Sequence, residues 1–207
     1  MNRAEGVVRA LKRHYGQNAF RGSPDDPFRV LVSCILSQRT RDENALKATK
    51  ALFAVASTPQ GILAINPDSL KRLIRSSGYY NQKAKHIIGA SKAIIERFSG
   101  VTPRTRADLM MLPGVGPKTA DIVLSYGYGE PAIAVDTHIY RVVKRLGLVE
   151  MRACPQDVKR ELEDSISRED YSFTDGAILS IGKEYCKPSK PRCGGCPLEK
   201  LCEKKFT

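Results

Sequence analysis

Long apolar runs are missing from this chain of 207 residues. No stretch approaches the ~20 apolar residues that a membrane span needs, and no apolar segment with a cleavage site follows the basic N-terminus. We therefore expect an intracellular protein of the cytoplasm, without a membrane partner. A chain of this length can bury a core in one or two domains without disulfides.

Strand-like alternation, internal repeats and low-complexity linkers are missing too, and helical periodicity takes their place. Between residues 84 and 98, small or apolar residues recur every three or four positions, which predicts an amphipathic helix. Further helices are predicted at residues 7–15, 28–36, 105–111 and 117–126. Another is predicted to begin at Asn66 and to stop at Gly78, and three more to begin at about Thr137, Gln156 and Ser172. The fold class is predicted to be all-α.

The charge is strongly one-sided. Thirty-four Lys and Arg against 22 Asp and Glu leave a formal net charge of +12. Such a field attracts polyanions and speeds association with them, so nucleic acid is the expected partner. Because the basic residues are spread along the chain, a solvated basic surface without function stays open as an alternative.

Residues 112–118, Leu-Pro-Gly-Val-Gly-Pro-Lys, lie between two predicted helices. Two glycines flank Val115. Gly114 and Gly116 permit a tight turn and close approach of the backbone to another molecule. Free amides at the start of the following helix suit a phosphate group, which gives affinity without sequence specificity. An ordinary connection between helices, with glycine needed only for packing, is the alternative.

Lys118 and Asp136 are the candidate reactive groups. Lys118 starts a helix, where the helix dipole disfavours its protonated form, and partial burial would lower its pKa further. Asp136 follows a short apolar run and suits the N-cap of the next helix, where a carboxylate could also stabilise positive charge. An exposed lysine without a role and a plain capping aspartate remain the alternatives.

Four of the six cysteines crowd into the C-terminal segment, with intervals of six, two and five residues. This clustering indicates metal rather than disulfides, because an intracellular chain would lose disulfides to reduction. Four thiolates suit either tetrahedral zinc or an iron–sulfur cluster, and the spacing alone leaves both open. The four candidate ligands are Cys186, Cys193, Cys196 and Cys202.

Almost the whole sequence resembles the endonuclease III branch of the helix–hairpin–helix DNA glycosylases. The segments that carry the resemblance are VLVSCILSQRTRD, GYYNQKAKHI, LPGVGPKTADIVL, AIAVDTHIYRVVKRLG and the cysteine tail. The resemblance implies that Lys118 is the amine nucleophile, that Asp136 is the assisting carboxylate and that residues 114–116 hold DNA phosphate. It also implies a four-iron, four-sulfur cluster on the four cysteines, because every interval matches the family motif.

Further DNA contacts follow from the same resemblance. In relatives, two segments line the gap left by a flipped nucleotide, and here they carry Gln38, Arg39 and Tyr79. Arg39 stands where relatives commonly have glutamine, and Tyr79 where bacterial members often have leucine. The remaining predicted contacts are His138 and the basic loop Lys187, Lys190 and Arg192.

The resemblance implies two helical lobes. Residues 21–130 are expected to form a six-helix bundle with the hairpin, and residues 1–20 an N-terminal helix that joins the lobe of residues 131–207, with the aspartate and the cluster. The implied activity is removal of damaged, oxidised pyrimidines from double-stranded DNA and cleavage at the abasic site, by a monomer associated with a prokaryotic-type nucleoid. A thymine or uracil mismatch glycosylase, a non-enzymatic DNA-binding protein and an electron carrier are the alternatives.

Overall fold

The computed structural model describes residues 2–20 and 24–204, and these residues form helices and loops without a β-strand. The all-α prediction is confirmed. No helix in these ranges is long and apolar enough to cross a membrane. The α-helices are α1 Arg3–Tyr15, α2 Pro27–Ser37, α3 Asp42–Phe53, α4 Pro59–Ala64, α5 Pro67–Leu73, α6 Tyr80–Phe98, α7 Arg106–Met110, α8 Pro117–Ile122, α9 Thr137–Leu146, α10 Pro155–Ser165 and α11 Tyr171–Glu184.

The chain divides into two compact units. The central unit is continuous and comprises residues 23–130, whereas the terminal unit combines residues 1–22 with residues 131–207. Each unit has its own cluster of buried apolar side chains, α2 to α8 forming one and α1 with α9 to α11 forming the other.

Helix α2 is the central core helix of its unit. Asp26 caps it by accepting a hydrogen bond of 2.9 Å from the Arg29 amide, and Pro27 occupies its first turn. Leu31, Ile35 and most other side chains of α2 are buried, as predicted from its nearly continuous apolar sequence. Helices α3, α6 and α8 pack around it.

The structure adds two helices to those predicted in this unit and corrects the bounds of two others. Helices α3 and α4 were not predicted, because α3 buries only a thin stripe with two alanines and α4 has six residues. Helix α5 begins after Asn66 as predicted but ends at Leu73, well before Gly78. Helix α6 starts at Tyr80, earlier than its apolar stripe indicates, because its first turn carries polar residues, of which Asn81 and Gln82 are exposed.

The helix that begins at Pro117 changes character before it ends. After α8 the chain continues as a π-helical turn, Val123–Gly127, so the predicted helical stretch of residues 117–126 is present in two forms. Beyond the turn, the Tyr128 hydroxyl donates to the Thr102 carbonyl, and Arg104 forms an ion pair of 2.7 Å with Glu130. These contacts fasten the end of the central unit to the loop before α7.

In the terminal unit, α1 and α9 to α11 enclose a core around Leu11, Val143 and Phe173, which are fully buried. An ion pair of 2.7 Å between Lys12 and Asp170 joins α1 to the start of α11. Two short 3₁₀ turns, Cys193–Gly195 and Glu199–Leu201, order the cysteine tail.

Candidate active site

The predicted hairpin is a tight turn between α7 and α8. Gly114 has a φ of 81°, a left-handed conformation that favours glycine, and the Val115 amide donates to the Leu112 carbonyl at 3.1 Å. Gly116 caps α8 with extended backbone, and Pro117 occupies the first turn. Lys118 follows immediately and its side chain is exposed, so the partial burial considered from the sequence is not observed.

Two side chains of the central unit, Gln38 and His86, contact the hairpin at Gly114. The Gln38 side-chain amide donates to the Gly114 carbonyl at 2.9 Å, so this residue, predicted to contact DNA, is bonded to the turn in this structure. The His86 ring lies so close to Gly114 that a Cβ there would come within 2.7 Å of its Nδ1 atom. The turn therefore needs glycine for both its conformation and its packing.

A buried carboxylate fixes α8 to α7. Asp121 is only 3% exposed and accepts a hydrogen bond of 3.1 Å from Arg106 Nε. On the other side, burial raises the pKa of the Cys34 thiol of α2 to about 12, and the positive charge of Lys118 acts in the opposite direction. Lys118 lies on a short helix that packs against both α2 and α7.

Asp136 is the N-cap of α9, as the sequence predicted. One carboxylate oxygen, Oδ1, accepts hydrogen bonds from the amides of His138 and Ile139, each at 2.8 Å. The carboxylate is held in one orientation by these two bonds. Asp136 belongs to the terminal unit and Lys118 to the central unit.

The apolar run before Asp136 is held by two polar groups that sequence reasoning missed. The buried Asp175 carboxylate accepts a hydrogen bond of 2.8 Å from the Ala134 amide, and the Lys159 ammonium donates to the Ile133 carbonyl at 3.0 Å. Both residues lie on later helices, α10 and α11, and no local motif marks them. Their bonds determine where α9 begins and therefore where Asp136 lies.

His138 and Arg141 connect the start of α9 to the end of α11. Arg141 donates to the carbonyls of Cys186 at 2.8 Å and Gly182 at 3.0 Å, and its guanidinium lies 3.1 Å from His138 Nδ1. A Cβ at Gly182 would come within 2.6 Å of the His138 Cβ, so the two helices approach closely at this glycine. The imidazole predicted to contact DNA is therefore packed within its own unit.

The four tail cysteines line one cavity of about 30 Å³ that is partly open to solvent. Arg145 donates to Cys186 Sγ at 3.4 Å, and the Lys204 amide donates to Cys202 Sγ at 3.4 Å. Burial raises the pKa of the Cys196 and Cys202 thiols. Among the described residues, no three His, Cys, Asp or Glu side chains are grouped closely enough to hold a single metal ion.

The basic loop does not present its three charges equally. Lys187 donates to the Lys183 carbonyl, and Arg192 donates to the Glu184 carbonyl at 2.7 Å, so both side chains bond to the C-terminal end of α11. Lys190 is exposed and has a φ of 52°. All three residues are exposed, and Lys190 differs in that the side chains of the other two bond back to α11.

Arg39 and Tyr79 are exposed, and both adopt left-handed backbone conformations, with φ values of 49° and 58°. The side chain of Tyr79 is 63% exposed, which is high for a tyrosine. Such conformations are costly for residues with a bulky side chain and persist where the surrounding structure fixes them. Both positions are thus under structural constraint.

The chain is similar to known proteins over most of its length. Residues 32–168 match the HhH-GPD superfamily of base excision DNA repair proteins. The chain is 44% identical over 199 residues to "Endonuclease III" of Thermotoga maritima, covering 96% of this chain and 92% of the relative. It is 42% identical over 177 residues to "Endonuclease III" of Bacillus subtilis, covering 86% and 81%. A solved structure titled as a trapped endonuclease III–DNA covalent intermediate, an estranged-adenine complex, superposes with a TM-score of 0.88 at 35% identity, covering 97% of this chain and 96% of that one.

Proposed function

Because this chain belongs to the endonuclease III family of DNA glycosylases and AP lyases, within the HhH-GPD superfamily, we propose that it excises oxidised pyrimidines and cuts the strand 3′ to the abasic site. The observation that carries the proposal is the exposed Lys118 amine, directly after the hairpin turn on a helix anchored to both neighbours. An amine there can act as a nucleophile toward a sugar held by the hairpin.

The reaction starts when the neutral Lys118 amine attacks C1′ of the deoxyribose and the bond from C1′ to the base breaks. Asp136 stabilises the positive charge that develops on the sugar. The departing base takes up one proton from the nitrogen, and the other passes to the ring oxygen O4′ as the sugar ring opens, which leaves an imine between Lys118 and C1′. Loss of a proton from C2′ breaks the bond between C3′ and its phosphate oxygen, so the strand is cut by β-elimination and water later releases the lysine.

Access to C1′ requires the damaged nucleotide to leave the stack, and the energetic cost is lowest for lesions that pair poorly. The amides of residues 114–116 bind backbone phosphate in this proposal, which gives affinity independent of sequence. Tyr79 stacks on exposed bases, a contact worth about 1–3 kcal/mol per base in single-strand binders. Arg39 hydrogen-bonds the orphaned opposite base, with guanine preferred because its acceptor edge suits arginine. Gln38 and His138 are proposed as further contacts to DNA.

A four-iron, four-sulfur cluster is proposed on Cys186, Cys193, Cys196 and Cys202. The proposal is supported by the cavity that all four cysteines line and by the N–H groups that donate to the sulfur atoms of two of them. When bound, the cluster supplies cross-links that order a short tail. The chain's own contribution is the basic loop between the first two ligands, which carries Lys187, Lys190 and Arg192 toward phosphate.

We further propose that the protein acts as a monomer on duplex DNA in a prokaryotic-type nucleoid, because its relatives from Thermotoga and Bacillus are bacterial proteins. The proposed lobes are residues 21–130, and residues 1–20 together with residues 131–207. Size-exclusion chromatography coupled to light scattering tests the monomer: the mass should stay near 22.9 kDa as concentration rises.

The deciding experiment is incubation with duplexes that carry an oxidised pyrimidine, uracil, a thymine–guanine mismatch or an abasic site, with borohydride added to trap the imine. We expect excision of the oxidised pyrimidine, strand cleavage and a covalent complex. Lys85→Gln, an exposed lysine on α6, is the matched control and should behave as wild type. Turnover of only the mismatch or uracil duplex would favour a mismatch glycosylase. Binding of the duplexes without any turnover would favour a non-enzymatic DNA-binding protein.

A further inference from the structure

Lys83 is a buried lysine to which the reaction above gives no role. It lies in the first turn of α6 and is only 3% exposed. Its ammonium donates three hydrogen bonds: to the Leu36 carbonyl at 2.7 Å, to the Thr40 hydroxyl at 2.8 Å and to the Ser77 hydroxyl at 2.7 Å. Within the part of the chain that the structure describes, no carboxylate lies within ion-pair distance of it.

A buried cation without a counterion is costly, so this arrangement needs an explanation. The two hydroxyls already donate elsewhere, Ser77 to the Leu36 carbonyl at 2.8 Å and Thr40 to the Gln38 carbonyl at 3.2 Å. Each hydroxyl oxygen therefore still has lone pairs that can accept from Lys83, and the Leu36 carbonyl accepts from both Ser77 and Lys83. An ammonium group supplies one N–H group to each of the three oxygen atoms, whereas a neutral amine has only two. Burial lowers the pKa of Lys83 to about 8, so the group remains charged at neutral pH.

The three acceptors belong to the segments that carry the exposed side chains of the proposed DNA gap. Leu36 is near the end of α2, and Thr40 follows Arg39 directly. Ser77 lies two residues before Tyr79, and a Cβ at Gly78 would come within 3.4 Å of both the Arg39 carbonyl and the Thr40 hydroxyl. One ammonium thus joins the segment that carries Arg39 to the segment that carries Tyr79.

The network reaches the hairpin as well. The Gln38 carbonyl accepts from the Thr40 hydroxyl, and the Gln38 side chain donates to the Gly114 carbonyl at 2.9 Å. A continuous series of hydrogen bonds therefore runs from Lys83 to the turn that precedes Lys118. All of these residues lie in the central unit.

We propose that Lys83 is a positioning residue for lesion recognition, whose ammonium fixes the Arg39 and Tyr79 segments relative to each other and to the hairpin. The effect of Lys83 on DNA binding rests on the proposed function, whereas the hydrogen-bond network is present in the protein without DNA. Removing the ammonium should release both backbones from their left-handed conformations. The two exposed side chains would then lose the fixed separation that a flipped-nucleotide gap requires.

Lys83→Met removes the charge and the three donors at similar volume, and Lys85→Met removes an exposed lysine two residues away as the control. Without DNA, hydrogen exchange of residues 36–40 and 77–80 should be faster in Lys83→Met than in either wild type or the control. With DNA, affinity for a duplex bearing a tetrahydrofuran abasic analogue should fall by about tenfold to a hundredfold, since small misplacements in a site have effects of that size. Affinity for undamaged duplex should change little, and KM should rise more than kcat falls.

Unchanged exchange in both segments, or an equal loss of affinity for damaged and undamaged duplex, would overturn the assignment. If Lys83→Met does not fold, the double variant Thr40→Val, Ser77→Ala keeps the lysine, removes two acceptors and must give the same pattern. Failure of the proposed function is distinguishable, because wild type itself would then excise no lesion. An active wild type with unaffected Lys83 variants would reject the Lys83 role alone.

Discussion

The two units hold their proposed reactive groups by different means. In the central unit, the hairpin and Lys118 are fixed by packing, by the Arg106–Asp121 pair and by hydrogen bonds that lead to Lys83. In the terminal unit, Asp136 caps α9, and arginines of α9 bond to the backbone beside the cysteine tail. From this difference we expect that loss of the proposed cluster would disturb the position of the Asp136 carboxylate far more than that of the Lys118 amine.

The largest effect should come from Lys118→Gln. A side chain of similar length without an amine cannot form an imine, so strand cleavage and the borohydride-trapped complex should fall by about 10³-fold or more. Binding to an abasic analogue should stay within a few-fold of wild type, as measured by fluorescence anisotropy. If the variant is trapped by borohydride as well as wild type, another amine is the nucleophile and the assignment to Lys118 is wrong.

Loss of the proposed cluster should affect the terminal unit much more than the central unit. Anaerobically purified protein should be brown with about four irons per chain, and Cys193→Ala should lose the colour together with several kcal/mol of stability. Hydrogen exchange should rise in α9 and in residues 185–204 while α2 and α6 remain protected. Colourless, zinc-loaded protein with full activity would contradict the cluster, and uniform exchange throughout would contradict the difference between the units.

Asp136→Asn tests the negative charge of Asp136 separately from its role as the N-cap of α9. An asparagine oxygen can still accept from the amides of His138 and Ile139, so the fold should persist, while turnover should fall by about tenfold to a hundredfold because the charge is lost. Asp136→Ala, as a comparison, should also cost about 1 kcal/mol of stability through loss of the cap. Thermal melts and single-turnover kinetics separate the two effects, and full activity in the asparagine variant would leave Asp136 with a capping role alone.

A smaller effect concerns pH and the buried ammonium. Since burial lowers the pKa of Lys83 to about 8, the unfolded chain binds more protons than the folded chain between pH 8 and the ordinary lysine pKa of 10.5. The free energy of unfolding should therefore rise with pH in this window relative to Lys83→Met, by on the order of 1–2 kcal/mol. Urea denaturation of both proteins at pH 7, 8.5 and 10 measures this, and a constant difference between them would place the pKa outside the window.

The smallest effect is expected in the basic loop. Because Lys187 and Arg192 bond to the end of α11, Lys190 is the loop charge best placed to reach phosphate. Lys190→Ala should reduce the slope of log affinity against log salt by about one phosphate contact, without loss of thermal stability. Lys200→Ala, an exposed lysine elsewhere in the tail, is the control, and an identical slope in both variants would exclude the loop from the DNA contact.

The sequence was sufficient for features encoded locally. Apolar periodicity predicted α2 and α6, and glycine spacing predicted the turn at Gly114. The cap at Asp136 was likewise readable, because capping depends on the two or three residues that follow.

Features that depend on distant residues were not readable. Lys83 gains its role from residues 36, 40 and 77, and Asp175 supports residue 134 from a later helix. No spacing rule connects such positions, because tertiary packing brings them together. Helices α3 and α4 were missed for a related reason, since packing against neighbours rather than a strong apolar stripe stabilises them.

The π-helical turn at residues 123–127 limits which insertions and deletions the central unit can accept. A π-turn contains one residue more than an α-turn, so deletion of a single residue there could restore regular helical bonding locally. The same deletion would rotate the following residues by about 100° around the helix axis. Tyr128 and Glu130 would then miss Thr102 and Arg104, so the number of residues after Lys118 is fixed by contacts at the far end of the unit.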